Sequence, residues 1–163
     1  MAASTTKKVL IVRFDRESLE GFVSPQEFLK PDGIELLTAA GMLAVVPYTD
    51  IKVICFVRDF GNDPLSGMRR CFTNRPKSAG LWVRMRFRDG EEMEGLLSND
   101  LLHAESAGFT FTPPEQTGDL QRLFVPKAAL RDIHVLAVIG SALRPKKPKT
   151  TPPDERQLKM FGP

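Results

Sequence analysis

The sequence predicts an all-β chain: two tandem copies of one small five-stranded unit, followed by a basic, Pro-rich tail. Three observations predict it. Two stretches of the chain repeat one another, apolar residues alternate with polar ones at a period of two, and the composition changes abruptly after residue 140. The repeat appears when residues 9–21 (VLIVRFDRESLEG) are laid beside 81–95 (LWVRMRFRDGEEMEG). Arg13-Phe14 matches Arg86-Phe87, and Leu19-Glu20-Gly21 matches Met93-Glu94-Gly95, which gives the second copy one extra residue in its turn. Farther on, Asp32 to Leu36 matches Ala107 to Phe111, and Val45-Val46-Pro47 through Lys52 matches Phe124-Val125-Pro126 through Arg131.

Each element has a local cause. In the first copy the spacing predicts strands near 8–14, 17–23, 33–38, 42–47 and 52–58; in the second, near 81–88, 91–98, 108–112, 120–126 and 131–139. The clearest is 81–88, where Val83, Met85 and Phe87 alternate with Arg84, Arg86 and Arg88 and make one face apolar. Asp89-Gly90 then signals a hairpin, because glycine accepts the positive φ such turns need. Asp15-Arg16-Glu17 stands there in the first copy, a weaker signal. Gly21 and Gly95 fall late in the second strand of each copy, where glycine marks a bulge or bend that lets a sheet curl. Pro47–Asp50 and Pro126–Ala129 precede the last strands. Proline cannot donate to a ladder, so each predicts a short 3₁₀ turn. The closing strands are apolar runs, Val53–Val57 and Ile133–Ile139.

Four meandering strands, a one-turn helix and a fifth strand describe a small SH3-like or Sm-like barrel. The sequence therefore divides into a first barrel at 7–58, a connector at 59–80, a second barrel at 81–140 and a tail at 141–163. The connector is rich in Gly and Pro and carries Arg69, Arg70, Arg75 and Lys77. The tail from Ser141 to Pro153 has almost no apolar content and is expected to be extended and disordered, with a polyproline bias.

Charge is divided unevenly. The chain carries +3, but the body is near neutral and the tail holds six basic residues (Arg144, Lys146, Lys147, Lys149, Arg156, Lys159) against Asp154 and Glu155. A basic isoelectric point owed to a tail does not make the whole body a nucleic-acid binder. No run approaches the roughly 20 apolar residues of a membrane span, so no membrane partner is expected. Met1 to Lys8 is polar and lacks a signal-peptide pattern, which points to the cytoplasm. Cys55 and Cys71 form neither a disulfide framework nor a metal spacing. Cys55 lies in an apolar run and reads as core.

Signals for catalysis are poor, and no cofactor or metal is expected. His103 and His134 are the only histidines, and His134 falls at the position of Cys55 in the repeat. Glu91, Glu92 and Glu94 cluster, with Glu20 repeating Glu94. Paired carboxylates can do acid–base work, but a solvated strand face balanced by Arg84, Arg86 and Arg88 explains them more simply. The Arg row is itself a candidate phosphate-binding feature, and Sm-like barrels include RNA binders. Its Arg-x-x-x-Arg spacing resembles that of PilZ domains, which implies cyclic-dinucleotide binding. In that family the arginines precede the first strand and a second polar motif follows; here they lie within a strand, and Ser98-Asn99-Asp100 does not supply the second motif. Trp82 could stack a base or pack the copies together.

The tail carries the sharpest motif. Gln157-Leu158-Lys159-Met160-Phe161 restores apolar residues after a polar stretch. It resembles the bacterial sliding-clamp-binding pentapeptide Gln-Leu-x-Leu-Phe. The resemblance implies that Leu158, Met160 and Phe161 fill apolar subsites of the clamp and that Gln157 sets register at the pocket rim. Met160 replaces the usual Leu, and Lys159 the more common Ser or Asp. Residues 145–156 would span about 37 Å as polyproline helix. Lys146, Lys147 and Lys149 would hold nearby DNA by phosphate contacts or serve as a solvating linker. The body is similar to uncharacterised bacterial domains with a strand–Asp-Gly–strand–Glu-Gly pattern, which implies a bacterial origin and assigns no particular activity. The leading expectation is a non-enzymatic adaptor that binds the sliding clamp, in replication or repair. The alternative is an RNA- or nucleotide-binding regulatory module. The oligomeric state stays open, though exposed edges of small open barrels invite pairing between chains.

Overall fold

The computed structural model describes residues 6–15, 17–61, 63–100, 105–115 and 120–140. Ten strands form in chain order: β1 (Lys7–Arg13), β2 (Ser18–Val23), β3 (Gly33–Thr38), β4 (Leu43–Pro47), β5 (Ile51–Val57), β6 (Gly80–Phe87), β7 (Glu92–Leu97), β8 (Gly108–Thr112), β9 (Leu120–Pro126) and β10 (Leu130–Ile139). Their ends fall within a residue or so of those the periodicity predicts. Tyr48–Asp50 and Lys127–Ala129 are one-turn 3₁₀ helices, each capped by the proline before it at φ near −60°. Proline supplies that φ, and its missing N–H is no loss at a helix start. Among the described residues no helix is long and apolar enough to cross a membrane.

All ten strands pair antiparallel in one open sheet, in the order β10-β6-β7-β8-β9-β5-β1-β2-β3-β4. Each copy contributes five neighbours in the same internal order: last strand, first, second, third, fourth. The copies join where β9 of the second pairs with β5 of the first, with Ile54 opposite Phe124 and Cys55 opposite Leu123.

The strand registers relate the copies differently from the Arg-Phe match. Val9 lies opposite Gly21 and Val83 opposite Gly95. The Arg13 amide donates to the Glu17 carbonyl at 3.0 Å, and the Phe87 amide to the Glu91 carbonyl at 2.8 Å. Arg13 is therefore the counterpart of Phe87, and the turns are equal in length. The Arg-Phe match is a one-residue slip, and in a strand a slip of one exchanges the two faces. Phe87 points into the core, while Arg13 pairs with Asp15 and Glu17 at the hairpin end.

Two cores interlock at the seam. Val53, Cys55 and Val57 on one face of β5 join Val83, Met85 and Phe87 of the second copy. Ile54 and Phe56 on the other face join Val9, Ile11 and Ile34 of the first. Strand β9 reciprocates: Leu123 and Val125 lie in the second core and Phe124 in the first. Burying such side chains contributes about 1.5–3 kcal/mol each, so each copy is stabilised by a strand of the other.

Gly21 and Gly95 sit in regular ladders rather than bulges. The bulges fall instead in the β1–β5, β6–β10 and β5–β9 pairings. What requires glycine is close approach. A Cβ on Gly95 would lie 2.3 Å from the Phe111 ring, and one on Gly21 2.6 Å from both Leu36 and the Leu37 carbonyl.

Candidate functional site

Arg84 and Arg86 sit on the outer face of β6 and Arg88 just past its end, and each of the three is already engaged. Strand pairing sets Arg84 opposite Glu94 and Arg86 opposite Glu92. Arg84 Nη2 donates to Glu94 Oε1 at 3.0 Å. Arg86 donates through Nε and Nη2 to Glu92 Oε1 at 3.1 and 3.0 Å, with Asp132 at 3.8 Å. Arg88 donates to the Thr49 carbonyl at 2.6 Å and lies 4.3 Å from the Phe14 ring centroid. Cross-strand charge pairing of this kind is ordinary sheet chemistry.

Glu94 departs from the expectation of a solvated strand face: it is 4% exposed. Its Oε2 accepts the Phe72 backbone N–H at 2.9 Å and the Trp82 indole N–H at 3.2 Å. Its own amide donates to the Arg70 carbonyl at 2.7 Å. Burial pushes the Glu94 carboxyl up, but the Phe72 amide, Arg84 and Trp82 together hold it below the usual carboxylate range. The glutamate thus pins the connector to the second copy. Trp82 packs edge-on against Phe72 at 5.9 Å, on the connector rather than between the copies. Glu20, its sequence counterpart, is exposed.

A second polar cluster lies at the seam, and local sequence reasoning misses it. Lys52 of β5 pairs with Asp89 at 2.5 Å and with Glu91, which also accepts from Arg70 at 2.8 Å. The Lys52 ammonium lies 5.2 Å from the Phe87 ring centroid. Hydrogen bonds from Lys52 and Arg70 hold the Glu91 carboxyl low. Desolvation raises Asp89, but Lys52 and the Glu91 amide outweigh it. The cluster borders a cavity of about 360 Å³ whose walls include Arg13, Phe14, Asp63, Leu65 and Met93. Its members come from distant parts of the chain, so no local motif announces them. Because Asp89, Glu91 and Glu94 are held ionised, none is poised to donate a proton near neutral pH.

A third feature is a cleft of about 410 Å³ between the connector and the ends of β7 and β8. Arg69, Arg75 and Lys77 give it a basic wall, with Cys71, Asn74 and Glu115 beside them. Arg69 pairs with Glu115 at 3.4 Å. Cys71 is exposed, whereas Cys55 is fully buried, which pushes its thiol pKa up. His134 is at the position of Cys55, as the repeat predicts, but it is solvent-facing and lies 3.3 Å from Asp132. His103 and the tail residues Lys146, Lys147, Lys149, Gln157, Leu158, Met160 and Phe161 lie outside the described residues.

The chain belongs to DUF6982, a family of unknown function, whose model matches residues 5–137. The match takes in both copies and the connector and stops short of the Gln157–Phe161 motif. No curated protein and no solved structure matches the chain.

Proposed function

We propose that the chain is a non-enzymatic adaptor of bacterial DNA replication or repair. In this reading Gln157-Leu158-Lys159-Met160-Phe161 docks on the sliding clamp, and the β body is the scaffold that carries it, in the cytoplasm. The observation that carries the reading is the pentapeptide itself: a Gln, three apolar anchors at the required spacing, and a Pro- and Lys-rich stretch separating them from the body. A short peptide on such a tether binds modestly because ordering it costs entropy, which suits exchange on a shared partner. Lys146, Lys147 and Lys149 would add phosphate contacts to DNA threaded through or near the clamp.

The internal strand order and the Pro-initiated one-turn helix before each last strand support reading each copy as an SH3-like or Sm-like barrel. In that reading the second barrel is completed by β5, a strand of the first.

The competing reading is a module that binds RNA or a nucleotide through Arg84, Arg86 and Arg88. The half-exposed guanidinium groups of Arg84 and Arg86 favour it. Their pairing with Glu94 and Glu92 weighs against it, because a phosphate would have to displace carboxylates already in place. The PilZ-like version has the further burden that Arg88 is spent on Thr49 and Phe14.

The test is titration of a labelled peptide of residues 150–163, and of the full chain, against a bacterial sliding clamp. Saturable binding is expected, abolished by Leu158→Ala combined with Phe161→Ala. Absence of binding, or binding that survives the double substitution, overturns the proposal. RNA binding that persists in residues 1–140 and is lost in Arg84→Ala plus Arg86→Ala would favour the competing reading.

A further inference from the structure

Among the described residues the sheet ends in two strands that have no outer neighbour, β4 and β10. These are the counterparts of β9 and β5, the two strands that pair at the internal seam. The equivalence follows from register. Pro47 lies opposite Gly33 as Pro126 lies opposite Gly108, and Val45 opposite Glu35 as Phe124 opposite Thr110. Likewise Val9 faces Phe56 and Val83 faces Val135. The chain therefore contains one completed fourth-to-last-strand junction and one of each strand left over.

The leftover strands are where apolar surface is exposed. The exposed large hydrophobics among the described residues are Met42, Leu43 and Val45 at one edge and Val135, Leu136 and Val138 at the other. Their counterparts in the junction are covered: Phe124 and Phe56, which correspond to Val45 and Val135, are 0% and 2% exposed. Strand β4 (LAVVP) carries no charge, and its one protective residue is the proline at its end. Soluble proteins ordinarily blunt a free edge with lysine, proline or a bulge. Strand β10 carries Arg131, Asp132 and His134 and a bulge between Val135 and Ala137, so β4 is the less protected of the two edges and the template for strand addition.

We propose that β4 of one chain pairs antiparallel with β10 of a second copy, repeating the β9–β5 junction between chains. Transferring the register of that junction sets Val45 opposite Ile133, Ala44 opposite His134 and Leu43 opposite Val135. Leu43 and Val45 of one edge then meet Val135 and Ile133 of the other on one face. The other face differs, since β10 carries Asp132 and His134 where β5 carries Val53 and Cys55. The contact between chains is therefore shallower than the internal seam, and assembly is reversible and concentration-dependent. Because the two surfaces are different, the association is head-to-tail, closing into a ring or continuing as a filament. This inference is independent of what the tail binds.

The experiment is light scattering on the full chain across a concentration series, together with Leu43→Lys and Val135→Lys. The wild type is expected to rise from the 18.2 kDa of one chain to multiples of it. Each variant should remain at one chain, and an equimolar mixture should form one-to-one pairs, because each variant retains the edge the other lacks. Both positions are exposed, and circular dichroism checks that the fold is kept. As a second measurement in a Cys71→Ser background, Leu43→Cys chains mixed with Val135→Cys chains should oxidise to the mixed disulfide. A wild type that stays at one chain throughout overturns the proposal. So does either lysine variant associating with itself, which would indicate a symmetric β4–β4 or β10–β10 contact.

Discussion

Phe124, a residue of the second copy, lies directly opposite Ile54 and is fully buried in the core of the first. Its ring meets Phe28 edge-on at 5.8 Å. The copies are thus joined by exchange of core side chains, and they should unfold together. Phe124→Ala is expected to cost about 3–5 kcal/mol, and denaturant titration should show one transition moved to lower midpoint. Two separate transitions, with only one displaced, would mean that the copies are independent.

Gly95 makes a sharper case for packing at the backbone. Its missing Cβ leaves room for the Phe111 ring, itself 2% exposed and unable to move aside. Gly95→Ala should cost about 1–3 kcal/mol through overpacking. Adding Phe111→Leu should recover part of that loss, although Phe111→Leu alone destabilises. Thermal melts of the two single variants and the double variant check it, and simple additivity would refute the contact as the cause.

The strands and the proline-initiated turns are legible because their causes are local: alternation in Val83–Phe87, a turn at Asp89-Gly90, and a missing donor at Pro47 and Pro126. The junction between copies is written more faintly. Strand β5 is apolar on both faces, through Val53, Cys55 and Val57 as well as Ile54 and Phe56, and a strand of that kind is covered on both sides. Strand β10 has Asp132 and His134 in the matching positions. Treating both merely as apolar runs hides the contrast that marks β5 as the shared strand. Of the candidate groups, the Arg row's cross-strand partners are readable from alternation. The tethering of the connector by Glu94 and the meeting of Lys52 with Glu91 are not, since each depends on residues brought together only by the tertiary fold.

Glu94 accepts hydrogen bonds from three donors, Phe72, Trp82 and Arg84. Glu94→Ala leaves the Phe72 amide and the Trp82 indole unpaired in a partly buried site and should cost about 1–3 kcal/mol. It should also release the connector. Trp82 is the single tryptophan, so its emission reports on that site directly and is expected to shift to the red. Limited proteolysis should cut within 59–80 in the variant before it cuts the wild type. Glu94→Gln keeps an acceptor and should show a smaller form of both effects.

The acidic groups also set the pH dependence of folding. Glu94, Glu91 and Asp89 all titrate lower in the folded chain than they would in isolation. A carboxyl with a depressed folded pKa binds its proton more readily in the unfolded chain. Its contribution is therefore complete above the ordinary carboxylate range, about pH 4, and is lost as pH falls through the lower folded value. The stability of the body should hold level from neutral pH to about pH 5 and fall steeply below about pH 4. Lys52→Met removes the hydrogen-bonding partner that lowers both Asp89 and Glu91. It should destabilise the fold at pH 7 and flatten the acid limb, so that the gap between variant and wild type narrows as pH falls below the ordinary carboxylate range. Denaturant titrations at pH 7, 5, 4 and 3 measure both curves. Parallel curves would mean that Lys52 does not hold those carboxylates ionised.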